Sequence, residues 1–317
     1  MSGLMPIFWK EFTDHLYSKR FIVLLVITYI AGIVAIYIAS QNIRSSIVDS
    51  PTQLVFLRLF ILSGENMPFT FPFFLSLFIP ILGIALGFDA VNSERNSGNL
   101  SRVLSQPVYR DSVINGKFLA GLMILSILVI SIVLVVGGLG LRMIGVPPSS
   151  EEVLRLFAFI FVSVLYGAFW MALAILFSVV LNRGATSAIA SIAIWFFLFF
   201  FLGMIAQAIA NAAVPITDQS TIAQLTQNDL IYRNISHISP SNLYGEITQA
   251  LLLPEMGSAS STLMMISIYT AGMTPGSLPL GQSLLIVWPQ IIALIALTAI
   301  CFAISYIKFQ REEIRST

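Results

Sequence analysis

Residues 88–118 read FDAVNSERNSGNLSRVLSQPVYRDSVINGKF, and this stretch decides how the rest of the chain is read. It holds seven charged residues: Asp89, Glu94, Arg95, Arg102, Arg110, Asp111 and Lys117. The whole chain of 317 residues is only 10% charged and 57% hydrophobic, and long uncharged runs adjoin the island on both sides. Soluble domains are nearer a quarter charged, so the composition points to a polytopic membrane protein. The island has to lie outside the hydrocarbon, because each Asp, Lys or Arg at a helix centre there costs about 2.5–3.5 kcal/mol.

Outward from the island, six charge-free stretches are long enough to cross a bilayer core, which takes roughly 20 helical residues. They are Phe21–Ala39, Phe69–Phe88, Phe118–Leu141, Leu156–Leu181, Ala185–Ala206 and Ser283–Ile307. Backbone groups in lipid must be satisfied internally, so the expected fold is all-α. Pro80 and Pro289 are expected to kink the second and sixth spans. Gly184, Ser187, Ala188 and Ser191, small residues at the start of the fifth, allow close helix packing, within one subunit or between two. The first run is too long for a signal-peptide core, and Glu11 and Asp14 precede it, so it is expected to be a retained anchor.

Basic residues set the expected orientation. With the N-terminus inside, the inner side holds Lys10, Lys19, Arg20, Arg95, Arg102, Arg110, Lys117, Arg183, Lys308, Arg311 and Arg315. The outer side holds Arg44, Arg58, Arg142, Arg155 and Arg233. The bias places the protein in the cell membrane with both termini, and the island, in the cytoplasm. Residues 1–20 form a candidate amphipathic helix. Leu4, Met5, Phe8, Trp9, Phe12 and Leu16 share one arc, and Lys10, Glu11, Asp14 and Ser18 the opposite one. Such a helix can lie in the inner interface, with Leu4, Phe8, Trp9, Phe12 and Leu16 facing lipid, or rest on a neighbouring subunit.

Residues 207–282 are rich in Ala, Ser, Thr, Gln and Asn, with five prolines, and are expected to form an extracytoplasmic cap of short helices. Chemistry-bearing patterns are sparse. No GxxxxGK[ST] loop occurs, so ATP is not bound here in the P-loop manner. His15 and His237 are too far apart in sequence for a zinc helix. Glu151-Glu152-Val-Leu-Arg155 is expected to be a solvated helix start, the dispersed methionines packing residues, and the single Cys301 an inert apolar-run residue. No catalytic residue, metal site or cofactor is expected. A formal charge of +1 without a basic patch gives no reason to expect a nucleic-acid partner. The absence of ionisable side chains in the six runs argues against an ion-coupled carrier.

The island itself reads as a helical extension, a break at Ser97-Gly98, an N-cap at Asn99, a short helix with Leu100, Val103 and Leu104 on its apolar edge, and a stop at Pro107. At these residues the chain resembles the permease subunits of ABC-2-type ATP-binding cassette exporters, the family that includes the nitrous-oxide-reductase maturation permease. Their pattern E…G-[TS]-L…LLS-x-P…R…GK appears as Glu94, Gly98-Asn99-Leu100, Val103-Leu104-Ser105-Gln106-Pro107, Arg110 and Gly116-Lys117, with Asn99 and Val103 departing from the usual residues. The resemblance extends to Trp9-Lys10-Glu11-Phe12 and to the six-span layout. It implies an elbow helix at 1–20 and a coupling loop at 89–117 whose short helix docks on a separate ATPase. Leu100, Val103 and Leu104 would dock, Glu94, Arg102 and Arg110 would set register or pair across that interface, and Lys117 would sit at the inner headgroup level. ATP and Mg would belong to the ATPase subunit, and a second permease copy or paralogue would complete the transporter. An ATPase-driven membrane anchor acting on an extracytoplasmic partner, and a secondary carrier, are the alternatives.

Overall fold

The computed structural model describes residues 3–46, 54–61, 70–96, 109–217, 220–253 and 278–311. Twelve α-helices and one π-helical turn occur among the described residues, with no strand. Helix α1 is Leu4–Leu16, α2 Lys19–Ser46, α3 Val55–Ile61, α4 Phe71–Gly87 and α5 Asn92–Asn96. After the island come α6 Arg110–Ile144, α7 Ser150–Val180 and α8 Gly184–Phe196, the last continued through the π turn Phe197–Phe201 into α9 Leu202–Ala213. The chain ends with α10 Ile222–Ser236, α11 Pro240–Leu252 and α12 Leu280–Arg311.

Among the described residues, six segments are long and apolar enough to cross a membrane, and they coincide with the six sequence stretches: α2, α4–α5, α6, α7, α8–α9 and α12. Helices α4 and α12 run on through Pro80 and Pro289. Helix α7 is the most enclosed of the six and forms the axis of the bundle. Its start is fixed by a capping box, with Ser149 Oγ accepting from Glu152 N and the Glu152 side chain accepting from Ser149 N.

Glycines let α4 lie directly on α7. A Cβ at Gly83 would stand 2.6 Å from the Gly167 carbonyl oxygen, and one at Gly87 2.6 Å from that of Met171. Gly83 and Gly87 are four apart in GIALG, the small-xxx-small spacing that allows backbones to touch where apolar lipid supplies no hydrophobic drive. Ser187 and Ser191 of α8 are buried within the chain, which gives the small residues of the fifth span an intramolecular role.

The segment before α12 does form short helices, but it lies deeper than a cap. Asn228 of α10 donates to Asn211 Oδ1 (3.0 Å) and Val214 O (2.8 Å) at the end of α9, so α10 runs back alongside that helix. At the following turn Ser239 Oγ donates to Leu198 O in the π turn (3.0 Å). Helix α11 then returns antiparallel to α7, with Ser241 beside Tyr166, Tyr244 beside Ser163 and Leu251 beside Arg155. Tyr166 stands about 24 Å along α7 at 1.5 Å per residue, the middle of a 31-residue helix. The α10–α11 hairpin therefore dips to the midpoint of the bundle, and Leu243, Tyr244, Ile247 and Leu251 join the core.

Candidate functional site

Helix α1 seats on the start of α6. A Cβ at Gly116 would lie 2.8 Å from Ile7 Cγ2, so the glycine makes the close approach possible. That contact turns Glu11 inward. Its Oε1 accepts from Lys117 Nζ at 2.8 Å, and the same ammonium lies 3.0 Å from Glu94 Oε1 on α5. Lys10 Nζ reaches both carboxylates at 3.3 Å. Lys117, Glu11 and Glu94 are buried, at 5%, 8% and 8% exposed, with Lys10 at the cluster's exposed edge, and the four charges join three separate elements. Trp9, Met5 and Leu16 point outward from α1 as exposed apolar side chains, while Leu4, Phe8 and Phe12 are half-buried.

Burial pushes the Glu11 carboxyl up, but the charge and hydrogen bond of Lys117, with Lys10 behind it, hold it below the usual carboxylate range. Burial moves Lys10 down, and Glu11 and Glu94 more than restore it, so its ammonium is stabilised. His15, one turn beyond Glu11, is held neutral: burial outweighs the pull of Glu11, and Lys117 adds to the lowering.

The second span does not continue straight into the island. Its helix ends at Gly87, a turn follows, and α5 starts afresh under a cap from another span. Ser178 Oγ of α7 accepts from Val91 N (3.0 Å) and Asn92 N (3.2 Å). Arg95 then reaches Asn182 Oδ1 and the Val179 carbonyl at the end of α7. Arg20 pairs with Asp89 at 3.1 Å and stacks over Phe88. Arg110 donates to the Gln310 carbonyl of α12 (3.3 Å).

Of the expected coupling residues, the structure places Glu94 and Lys117 together in the cluster and Arg110 against α12. Gly98, Asn99, Leu100, Arg102, Val103, Leu104 and Pro107 lie outside the described residues. The helical wheel grouped Glu11 with an outward polar arc, and the structure buries it instead, because Lys117 supplies a partner that the sequence of α1 does not show.

A second polar site, at the end of the bundle away from the termini, was not foreseen. Glu152 and Arg155 are 3% and 0% exposed, which overturns the expectation of a solvated helix start. Glu152 Oε1 accepts from Phe56 N (2.8 Å) and Leu57 N (3.2 Å), closing the first turn of α3. Arg155 binds Glu151 (2.9 Å), the Leu251 carbonyl (2.9 Å), Ser283 Oγ (3.2 Å) and the Leu278 carbonyl, tying α7, α11 and α12. Deeper in, Tyr166 and Tyr244 stack with centroids 4.4 Å apart and planes 8° from parallel. The Tyr166 hydroxyl bonds Ser241 Oγ (2.8 Å) and the Ser76 carbonyl (3.0 Å). Glu246 of α11 meets His237 Nε2 at 2.9 Å and accepts from Gln290 Nε2 of α12 at 3.0 Å. Uncharged spans thus do not leave the bundle without ionisable groups, since the hairpin delivers them.

Across residues 5–314 the sequence matches the family described as ABC-2 family transporter protein. The chain belongs to that family. Among curated proteins, it is similar to the probable ABC transporter permease protein NosY of Pseudomonas aeruginosa, 29% identical over 133 residues. That match covers 40% of this chain and 47% of the relative, so the chain spans about half the length of the curated relative it matches. This ABC-2 chain is thus a multi-pass membrane protein. Within the ABC-2 frame, the charge cluster flanks the segment that carries the motif, and the hairpin lies at the opposite end of the same bundle.

Proposed function

We propose that the chain is the membrane subunit of an ATP-driven exporter, that residues 97–108 dock on a separate ATPase with ATP and Mg, and that both termini face the cytoplasm. The supporting observation is the Lys10–Glu11–Glu94–Lys117 cluster. It ties together the helices on either side of the docking segment, α5 before it and α6 after it, and fastens both to α1. A push received between α5 and α6 cannot be absorbed there by a slack connection. Ser178 and Arg95 pass it to α7, Arg110 to α12, and Lys117 to α1. From α7 it reaches the Tyr166–Tyr244 stack and the hairpin. The eleven inner basic residues against five outer support the orientation. Two such permeases with two ATPases form the working unit in this reading, and the cargo is unassigned.

The test is co-purification. Tagged wild-type protein, extracted gently from its own membrane, is expected to bring down a P-loop ATPase detectable by mass spectrometry. Leu100→Asp/Leu104→Asp is expected to lose it while keeping its six-span fold. An ATPase retained by that variant would remove the docking claim, and no ATPase with wild type would leave a carrier or anchor as the better account. The anchor draws support from the hairpin, whose polar Asn242 and Gln249 lie outside the buried face of α11.

A further inference from the structure

Between α1 and the near ends of α2, α4 and α6 lies a cavity of about 430 Å³. It lies beside the termini-side ends of the first three candidate membrane spans. Its floor is apolar, made by Phe21 at the start of the first span and Ala85 and Leu86 at the end of the second. Its walls carry both signs of charge, and the balance can be followed pair by pair. Lys10 and Lys117 neutralise Glu11 and Glu94, and Arg20 neutralises Asp89. Asp14 is left with neither a hydrogen bond nor an ion pair, and His15 beside it is held neutral by burial. The lining therefore holds one uncompensated negative charge. Arg20 meanwhile uses only Nη1 on Asp89 and keeps its side chain 69% exposed, leaving N–H donors of its planar fork turned outward.

We propose that this cavity binds the headgroup of a phosphatidylethanolamine-type phospholipid from the leaflet nearest the chain termini. A primary ammonium supplies the cation that Asp14 lacks, together with three N–H donors. The phosphate next to it is matched by the free donors of Arg20 and the exposed ammonium of Lys10. The apolar floor receives the glycerol and the first acyl carbons, which a soluble zwitterion cannot offer. A purely anionic headgroup meets the uncompensated Asp14 and is disfavoured. A choline headgroup has the charge but no N–H donor. Bound there, the lipid bridges α1 to α2 across the cavity mouth, on the opposite flank of α1 from the apolar groove of Leu4, Met5 and Phe8 against α6. The assignment does not depend on which ATPase, if any, the chain engages.

The experiment is native mass spectrometry of the purified protein released from nanodiscs of equal parts palmitoyl-oleoyl phosphatidylethanolamine, phosphatidylcholine and phosphatidylglycerol. Wild type is expected to retain phosphatidylethanolamine over each of the others by about tenfold, the worth of one charge-assisted hydrogen bond. Asp14→Asn is expected to erase the preference over phosphatidylcholine, and Arg20→Gln to lower retention of both zwitterionic lipids. Both side chains are exposed, and an unchanged melting point in detergent shows that each variant is folded. Equal retention of the three lipids by wild type, or a preference that survives both substitutions, overturns the proposal. Displacement of the lipid by millimolar phosphoethanolamine overturns the lipid assignment, because the apolar floor would then contribute nothing. Preferential retention of phosphatidylglycerol overturns the charge balance on which the site rests.

Discussion

Lys117 is a central tie of the termini-side structure. Its ammonium is 5% exposed and serves two carboxylates on two different helices. Removing one member of a buried charge set leaves the others unpaired, at about 3–5 kcal/mol, whereas replacing the whole set with apolar groups can be neutral. Lys117→Met is therefore expected to lower the thermal midpoint of the purified protein by roughly 5–10 °C, and adding Glu11→Gln and Glu94→Gln to recover part of that loss. A triple variant no better than the single would show that the carboxylates are not paired through Lys117. The same cluster sets a pH response. His15 has its folded pKa below the unfolded 6.5, so the folded state binds fewer protons and stability falls as pH drops below about 6.5. Glu11 has its folded pKa below the unfolded 4.5, so its contribution is present above that value and is lost as pH falls through the lower folded one. Thermal midpoints measured from pH 8 to pH 2 should decline in two stages, and His15→Gln should remove the upper stage alone.

Among elements, the contact between α4 and α7 depends on backbone approach more than on side chains. Gly83→Leu puts a branched chain where even a Cβ is 2.6 Å from a carbonyl oxygen, and no rotamer relieves that. Overpacking of this kind costs about 1–3 kcal/mol or more, so the variant is expected to reach the membrane in lower yield and to melt earlier, while Gly138→Leu, with open space around it, melts like wild type. Equal melting of the two would show that α4 does not lie on α7 as described. The six spans were legible, because hydrocarbon imposes a signal that runs along the chain itself. What stayed hidden had its partner elsewhere in the sequence. The wheel of α1 shows that Glu11 faces away from Phe12, but not that Lys117 awaits it 106 positions later. Glu152 and Arg155 look solvated until α3, α11 and α12 close over them. Helix α11 escapes hydropathy altogether, since Asn242, Glu246 and Gln249 interrupt its apolar residues, and its burial depends on the flat face that Tyr166 offers Tyr244. Residues 98–107 were legible as a motif, and their structure lies outside the described residues.

At the scale of the whole molecule, the two polar clusters stand at opposite ends of one buried axis. Lys117, Glu94 and Glu11 gather the elements that flank the motif-bearing segment, and α5 is capped by Ser178 near the end of α7. Arg155, near the start of α7, gathers α11 and α12. Each cluster closes over different elements, so breaking one should loosen its own end and leave the other intact. Arg155→Met strips two carbonyls and Ser283 of their donor, and Glu151, which is 44% exposed, can turn to water. At about 3 kcal/mol for the broken set, the local opening constant rises by roughly a hundredfold. Hydrogen exchange should accordingly speed up by about that factor in Pro240–Leu252 and at the first turn of α12, with α1 and the start of α6 unchanged and ATPase co-purification retained. Lys117→Met should do the reverse, exposing α1 and α5 to exchange while the hairpin stays protected. If either substitution loosened both ends equally, α7 would be a cooperative unit with its neighbours and not a rigid strut between two separable clasps. The proposed transmission from the motif-bearing segment to the hairpin would then have to run through collective unfolding, a weaker basis for moving cargo than a packed helix that keeps its length.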